Sequence, residues 1–338
     1  MIEIFLYLQI VFILNFIIKK KNIILSHSGS FHQQFVNQSI PLTGGLFLSI
    51  PIIFCFLFKN DILLTFYISI LFLGITSDLN ILSSPRKRFL IQIFIIFLFV
   101  FLNKLEVLPS KIEFIDNAFS NTYWSYLFTI FCIVILINGS NFIDGLNGLL
   151  LGYFLIILFI IYKLNLTGAL NLASIDNSLV LIISCFFIIY FFNLFNQLFL
   201  GDSGAYSISF IIGYILIDIY NFYTPSISPY FIILLVWYPC FENLFSIIRK
   251  LFKKKSPFSP DNEHLHQYLY IFIKNKFKTK SLTSNVCSGL VINSFNFFVL
   301  YLSSTNINHT YFQLKLIFFV VTIYILTYFF IRKIVKKS

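Results

Sequence analysis

A polar, glycine-rich stretch separates two long apolar runs near the middle of the chain. It reads N-G-S-N-F-I-D-G-L-N-G and places a polar residue at every third position, Asn138, Asn141, Asp144 and Asn147. Residues at this spacing can share one side of a frayed helix end. One carboxylate among amides, beside flexible glycine backbone, suits a phosphate with its metal ion, or a nucleobase. A turn in which Asn and Asp side chains cap helix ends explains the pattern equally well.

Two more acidic residues stand at the ends of apolar runs. Asp78 closes one run and is followed by the basic triplet Arg86–Arg88, and the two together can hold a metal ion and an anionic head group at a membrane surface. Asp202 falls between two glycines just before another run, where a carboxylate beside helix amides suits magnesium bound to a diphosphate. The alternatives are that the triplet only anchors the chain, and that Asp202 or Ser203 caps a helix.

A segment with prolines and histidines follows the ninth apolar run. Glu242 and Arg249 are seven residues apart, so they share a helix face at the end of that run. The segment beyond them presents Asp261, His264 and His266. His-x-His can bind a metal, but no third ligand of the zinc type accompanies it, so contacts to phosphate oxygens fit better. A solvated basic loop explains the lysines here, but not the Asp and His cluster.

The composition indicates that membrane-spanning helices position these residues. The 338 residues are 58% hydrophobic and 11% charged, which is more apolar surface than a soluble domain of this size needs. The net charge of +11 would suit nucleic acid in a soluble protein, but here the basic residues cluster in short loops, so no nucleic-acid partner is expected. Spans of about 20 apolar residues predict an all-α polytopic bundle of about eleven transmembrane helices, at 3–18, 43–58, 61–76, 89–103, 122–137, 148–163, 178–193, 204–220, 230–248, 285–302 and 312–331.

The distribution of basic residues predicts the orientation of this bundle. Of the 24 Lys and Arg residues, 19 fall in segments that share one side of the membrane. The positive-inside rule therefore predicts that the N-terminus lies outside and the C-terminus lies in the cytoplasm. All the chemically suggestive stretches then lie on the cytoplasmic face. We expect one integral-membrane domain, residues 1–338, whose active site is built from loops 74–92, 138–148, 194–206 and 249–284.

Together, the stretches resemble the motifs of the polyprenyl-phosphate N-acetylhexosamine-1-phosphate transferase superfamily, which includes the phospho-N-acetylmuramoyl-pentapeptide transferase. The resemblance runs from Pro41 to about Leu269. Because four motifs occur in the family's order, coincidence does not explain the match. They are the acid pair with L-x-x-P-x-x-R at Ser77–Arg88, N-x-x-N-x-x-D-G-x-D-G at Asn138–Gly148, F-x-G-D-x-G at Phe199–Gly204 and the histidine motif at His264–Gln267.

Three positions depart from the family pattern. Ser77 replaces the first acid of the pair, Asn147 replaces the last acid of its motif, and Gln267 replaces a histidine. In some family members the first acid has been proposed to deprotonate the lipid phosphate, which a serine cannot do. A phosphate monoester with a second pKa near 6 is already largely ionised at pH 7. Positioning and metal electrostatics are therefore favoured over an obligatory base.

The resemblance implies an enzyme of the bacterial inner membrane, embedded in the lipid bilayer, with its active site on the cytoplasmic face. It would transfer a sugar-1-phosphate of the N-acetylhexosamine type from a UDP-sugar to polyprenyl (undecaprenyl) phosphate and release UMP. This would be the first membrane step of a cell-envelope glycan, such as the O-antigen of lipopolysaccharide. Mg²⁺ is the implied metal, with Mn²⁺ as an alternative. The resemblance leaves open whether the protein forms a homodimer.

The resemblance also assigns roles to individual residues. Asp202 and Asp78 would hold the metal, and Phe199 would stack on uracil. Nucleotide contacts would come from Asp144 and Asn147. The expected catalytic residues are Asp78, Asp144, Asp202 and His264, and the expected substrate-binding residues are Asn138, Asn141, Asn147, Phe199, Arg88, Arg249 and His266.

Two other classes of function compete with this interpretation. Acidic residues within membrane spans and broken spans are also signatures of transporters. Against a transporter, the acids lie at one membrane surface and no inverted repeat is apparent. Ser77 and Asn147 also leave room for an inactive relative that only scaffolds glycan assembly.

Overall fold

Helices account for the regular structure of the described chain. The structure, a computed structural model, describes residues 2–21, 23–25, 39–57, 60–107, 109–118, 121–171, 176–259 and 261–336. Within these ranges the extended backbone forms one isolated bridge, between Leu25 and Pro41, and no strand. The helices are α1 (Ile2–Lys20), α2 (Gly44–Ile52) with a π-helical turn (Ile53–Leu57), α3 (Asp61–Asp78), α4 (Pro85–Asn103), α5 (Glu113–Ala118), α6 (Thr122–Ile143), α7 (Leu149–Leu166), α8 (Asp176–Leu194), α9 (Gly201–Phe222), α10 (Pro229–Leu235), α11 (Trp237–Phe252), α12 (Leu265–Phe277), α13 (Ser281–Ser303) and α14 (Thr310–Val335).

Seven of the described helices are long and apolar enough to cross a membrane, namely α1, α3, α6, α7, α9, α13 and α14. An eighth candidate is the pair α10 and α11, which is bent by 76° at Val236. The three other predicted spans correspond to α4, whose first turn carries Arg86–Arg88, and to two shorter apolar helices, α2 and α8. The prediction of an all-α polytopic membrane protein is therefore confirmed.

Helix α9 lies at the centre, and glycines allow other backbones to approach its first turn. A Cβ atom on Gly45 of α2 would lie 2.2 Å from the backbone nitrogen of Gly204, and one on Gly74 of α3 would lie 2.3 Å from the Cα of Ser203. Small residues permit this kind of close packing between membrane helices. The result is that the end of α3, which carries Ser77 and Asp78, is fixed against the start of α9.

The bent pair brings a polar helix against the same end of the bundle. Gly139 of α6 lies so close to α11 that a Cβ there would be 2.1 Å from the carbonyl oxygen of Pro239. Helix α11 buries a polar face formed by Glu242, Asn243, Ser246, Arg249 and Lys250. This face packs beneath the segment that leads to α12, and it orders that segment by hydrogen bonds.

Candidate active site

A cavity of about 510 Å³ lies where the ends of α3 and α6 meet the starts of α4, α9 and α12. Four polar segments that are far apart in the sequence contribute to its wall. The predicted site residues that line it are Asp78, Arg88, Asn138, Asn141, Asp144, Asp202, His264 and His266. The structure thus brings eight of the eleven predicted residues together.

Asp78 binds the first turn of α9 through both carboxylate oxygens. Its Oδ1 accepts from the backbone N–H of Asp202 at 2.8 Å, and its Oδ2 accepts from that of Ser203 at 3.0 Å. Gly201 has a positive φ of 77°, and a Cβ there would lie 2.7 Å from Asp78 Oδ2. The carboxylate that satisfies the helix amides therefore comes from α3, and the alternative in which Asp202 or Ser203 caps its own helix is not what the structure shows.

The Asp202 side chain accepts hydrogen bonds from neighbours on several helices. Asn141 Nδ2 donates to Oδ1 at 2.6 Å, whereas the Ser77 hydroxyl and Arg88 Nη1 both donate to Oδ2 at 2.5 Å. Tyr206 adds a longer contact to Oδ2 at 3.3 Å. Arg88 also donates to Ser77, so the serine joins the ion pair. Arg88 is therefore part of the cavity wall, a position that a role in membrane anchoring alone does not explain.

Asp144 is another acid of the cavity and follows the last residue of α6. Burial, and then the neighbouring carboxylates of Asp202 and Asp78, raise the pKa of Asp144 well above its usual range, although a backbone hydrogen bond from Gly201 opposes them. Three carboxylates thus influence one another beside a single paired arginine. Such a site is stabilised by added positive charge.

The donor atoms of this cavity fit a hard divalent cation. Mg²⁺ prefers oxygen ligands and is held by one or two carboxylates together with waters and substrate phosphates. Asp202 and Asp144 supply carboxylate oxygens, and Asn141 adds an amide oxygen, whereas both oxygens of Asp78 already accept from backbone amides. Among the described residues, no three His, Cys, Asp or Glu side chains form a ready metal cage. The arrangement fits an ion that is completed by a bound phosphate better than a closed structural metal site.

His264 is held by residues from two other helices. Its Nδ1 lies 2.9 Å from Oε1 of Glu242, which is fully buried, and the hydroxyl of Tyr324 donates to Oε2 of the same carboxylate at 2.7 Å. The ring of His266 stacks on that of His264 with the centroids 5.3 Å apart, and the ring of Phe142 lies at the same distance. The imidazole therefore has a fixed orientation at the cavity wall.

The segment before His264 is anchored by two basic residues of α11. Arg249 Nη1 donates to the carbonyl of Glu263 at 2.6 Å and its Nη2 binds Asp261, while Lys250 Nζ donates to the carbonyl of Ser259 at 2.8 Å. Burial would raise the pKa of Asp261, but the charges of His264 and Arg249 outweigh it and lower this pKa to about 2. The loop therefore keeps its ion pairs at all physiological pH values.

Comparison with known proteins finds a similar family over part of the chain. The model of the family described as glycosyl transferase family 4 matches residues 61–220. This segment contains Asp78, Asp144 and Asp202 of the cavity.

Curated relatives that are similar to this chain include proteins from three bacteria. It is 31% identical over 205 residues to the probable undecaprenyl-phosphate N-acetylglucosaminyl 1-phosphate transferase of Bacillus subtilis (strain 168), covering 60% of this chain and 56% of the relative. Identity to the undecaprenyl-phosphate alpha-N-acetylglucosaminyl 1-phosphate transferase of Thermotoga maritima is 32%, over 49% of this chain and 50% of the relative. Identity to the protein of the same name in Escherichia coli (strain K12) is 27%, over 43% of this chain and 41% of the relative. The chain therefore spans about half the length of these relatives.

Three of the predicted site residues do not line this cavity. Phe199 is 4% exposed and lies in the core before α9. Arg249 binds the loop at Asp261 and Glu263. Asn147 points toward other helices, where its Nδ2 donates to the carbonyl of Asn193 at 2.7 Å and to Oδ1 of Asn196 at 2.6 Å.

Other residues of the site were missing from the set predicted from the sequence. Gln92 and Lys250 line the cavity, and Gln92 Oε1 accepts from Asn138 at 3.0 Å. Glu242 reaches the site through His264. Glu242 could have been found, since it is the one acidic residue of the ninth apolar run. Gln92 gives no such signal, because it stands alone in an apolar run.

Proposed function

We propose that this protein transfers a sugar-1-phosphate from a UDP-sugar to undecaprenyl phosphate and releases UMP. The observation that carries the proposal is the convergence of Asp78, Asp144 and Asp202 with Arg88 and His264 on one cavity. The names of the relatives support undecaprenyl phosphate as the acceptor and an N-acetylglucosamine-type sugar. This reaction would be the first membrane step of a cell-envelope glycan.

The basic and the acidic residues of the cavity would have different roles in this reaction. The phosphate oxygen of the lipid attacks the phosphorus that bears the sugar, and the bond from this phosphorus to the UMP oxygen breaks. Arg88 and His264 would bind phosphate oxygens and orient the two reactants, so that the attacking oxygen is held close to the phosphorus. Mg²⁺ would be held by Asp202 and Asp144, and it supplies charge neutralisation of the diphosphate.

The hydrogen bonds of Asp78 suggest a supporting task. Its two oxygens already accept from the amides of Asp202 and Ser203, so it fixes the turn from which the Asp202 side chain projects. Ser77 carries no basic group, and the lipid phosphate is largely ionised at neutral pH without one. We therefore propose a mechanism of positioning and electrostatics with no obligatory protein base.

We further propose that the chain crosses the bacterial inner membrane eleven times, with the N-terminus outside and the cavity open to the cytoplasm. A helix occurs in each of the eleven predicted segments. The cavity lies at the end of the bundle that carries Arg86–Arg88 and the basic loop after α11. This placement is what the positive-inside rule favours for a cytoplasmic face.

The test is an assay with purified protein, Mg²⁺, undecaprenyl phosphate and a panel of UDP-sugars, scored for UMP release. We expect release that depends on the lipid phosphate and on Mg²⁺. Lipid-dependent binding of UDP-sugars without UMP release would favour an inactive scaffold. Movement of a UDP-sugar across proteoliposomes without UMP release would favour a transporter, which the clustering of acids at one end of the bundle argues against.

A further inference from the structure

The carboxylate of Glu242 is the most deeply buried acid beside the cavity. It is 0% exposed, whereas the acids that line the cavity have at least one edge open to it. A buried carboxylate is costly unless hydrogen bonds and a nearby cation compensate for its lost hydration. Glu242 has two hydrogen-bond partners, His264 Nδ1 at 2.9 Å and the Tyr324 hydroxyl at 2.7 Å.

His264 is the basic group in contact with this carboxylate. Arg249 is also near, but its guanidinium binds Asp261 and Glu263. A carboxylate that accepts from Nδ1–H fixes the imidazole in one orientation and leaves Nε2 for another partner. The remaining titratable or charged groups around the pair are His266, Asp261, Arg249, Tyr238 and Tyr324.

We propose that Glu242 is a positioning residue, which holds His264 as an imidazolium so that Nε2–H donates to a phosphate oxygen in the cavity. This inference rests on the proposed sugar-phosphate transfer. It links the cavity to α14, because Tyr324 of that helix fixes the second oxygen of the carboxylate. The C-terminal helix, which lies beyond the segment that matches the family, would thereby help to set the charge of the phosphate-binding histidine.

The substitution Glu242→Gln tests the charge while it preserves size. The glutamine oxygen can still accept from Nδ1–H, and the amide can donate to the Tyr324 hydroxyl after that hydroxyl rotates. In ¹⁵N NMR spectra of histidine-labelled protein at neutral pH, we expect His264 to show an imidazolium signature in the wild type and a neutral ring in the variant. The signal is assigned by its absence in His264→Asn.

Kinetics provide the second readout. We expect Glu242→Gln to raise KM for the UDP-sugar more than it lowers kcat, and to reduce kcat/KM by roughly 10- to 100-fold. This is the range, roughly 10- to 100-fold, found when a carboxylate that supports a metal-binding histidine is removed. His264→Asn should add little to Glu242→Gln, because both changes remove one interaction. Full additivity of the two losses would overturn the proposal.

Two tyrosines of α14 give a matched pair of controls. Tyr324 and Tyr328 are stacked one turn apart and equally buried, but Tyr324 binds Glu242 and Tyr328 binds Arg249. Tyr324→Phe should weaken the imidazolium signature and raise KM, and Tyr328→Phe should do neither. Equal effects of the two changes would show a general packing role and contradict the proposal.

The two readouts separate this inference from the proposed function. If the wild type releases no UMP with any UDP-sugar, the proposed transfer fails, but the NMR spectra still decide the charge of His264. If Glu242→Gln does not fold, Tyr324→Phe still tests the pair. An imidazolium signature that persists in folded Glu242→Gln would overturn the proposal whatever the enzyme transfers.

Discussion

The Asp202 carboxylate gathers hydrogen bonds from residues on α3, α4, α6 and α9, namely Ser77, Arg88, Asn141 and Tyr206. These hydrogen bonds engage both oxygens, so the carboxylate is held in a single orientation. A metal ligand whose orientation is fixed before the substrate arrives requires little rearrangement when the reaction occurs. This arrangement makes Asp202 the residue whose charge matters most.

Asp202→Asn should abolish most activity without unfolding the protein. The amide keeps the volume of the side chain but removes the charge that would face the metal and that pairs with Arg88. We expect a loss of about 100-fold or more in kcat, which is the scale of losing a main electrostatic contact. The assay is UMP release, and the control is Asp218→Asn near the other end of the same helix, where the side chain is exposed and does not line the cavity. Substantial Mg²⁺-dependent turnover by Asp202→Asn would show that this carboxylate is not the metal ligand.

Ser77→Asp should leave the rate unchanged or lower it. The new carboxylate would lie beside Asp202, and like charges in contact disfavour ionisation. Ser77→Ala removes only the hydroxyl that bridges Arg88 and Asp202, so we expect a loss of roughly 1 kcal/mol, or several-fold in rate. The measurement is the initial rate of UMP release at matched expression. A large gain in Ser77→Asp would indicate that an acid at this position is needed as a base.

At the scale of single elements, a change in chain direction after α6 explains why the prediction for Asn147 was incomplete. The spacing of three residues predicted one shared side for the four polar residues of 138–148. Helix α6 ends at Ile143, however, and Gly148, with a φ of 73°, begins α7 in a new direction. Asn138, Asn141 and Asp144 therefore face the cavity, while Asn147 faces α8 and α13. A spacing rule holds only while the helix continues.

The position of Asn147 yields a stability prediction. Its amide donates to two oxygens, the carbonyl of Asn193 and Oδ1 of Asn196, and an aspartate at this site could donate to neither. Restoring the family's acid by Asn147→Asp should therefore destabilise the protein by about 1–3 kcal/mol, the cost of leaving buried polar groups unpaired. Thermal unfolding in detergent measures the effect, with the exposed Asn306→Asp as the control. Stabilisation, or an unchanged midpoint, would contradict the assigned orientation.

Other features of the elements could be predicted because they depend on composition. Apolar runs of membrane length predicted where the helices lie, and the motif acids at their ends predicted which ends form the cavity. The partners of those acids could not be predicted, since they depend on how α2, α3 and α6 pack against α9. Glu242 illustrates this. The sequence predicted that it shares a helix face with Arg249, but it did not predict its partners, which are His264 and Tyr324.

The orientation of the whole molecule can be tested by cysteine labelling in intact cells. In a background without the five native cysteines, single cysteines are placed at four exposed positions, Lys87, Glu113, Ala169 and Lys255. The proposed topology predicts that a membrane-impermeant thiol reagent added outside labels positions 113 and 169 but not 87 and 255, unless the membrane is first permeabilised. External labelling at 87 or 255 would place the cavity on the wrong side for a cytoplasmic nucleotide sugar.

The central claim is that the sugar moves together with its phosphate, and isotope transfer tests it most directly. Purified protein is incubated with Mg²⁺, undecaprenyl phosphate and UDP-N-acetylglucosamine that carries ³²P either in the sugar-bearing phosphate or in the uridine-bearing phosphate. We predict that the first label enters the lipid fraction and that the second leaves as water-soluble UMP, with neither transfer in Asp202→Asn. Release of the first label as UDP, with unlabelled sugar on the lipid, would contradict the proposed reaction, as would a lipid product that forms equally well in the variant.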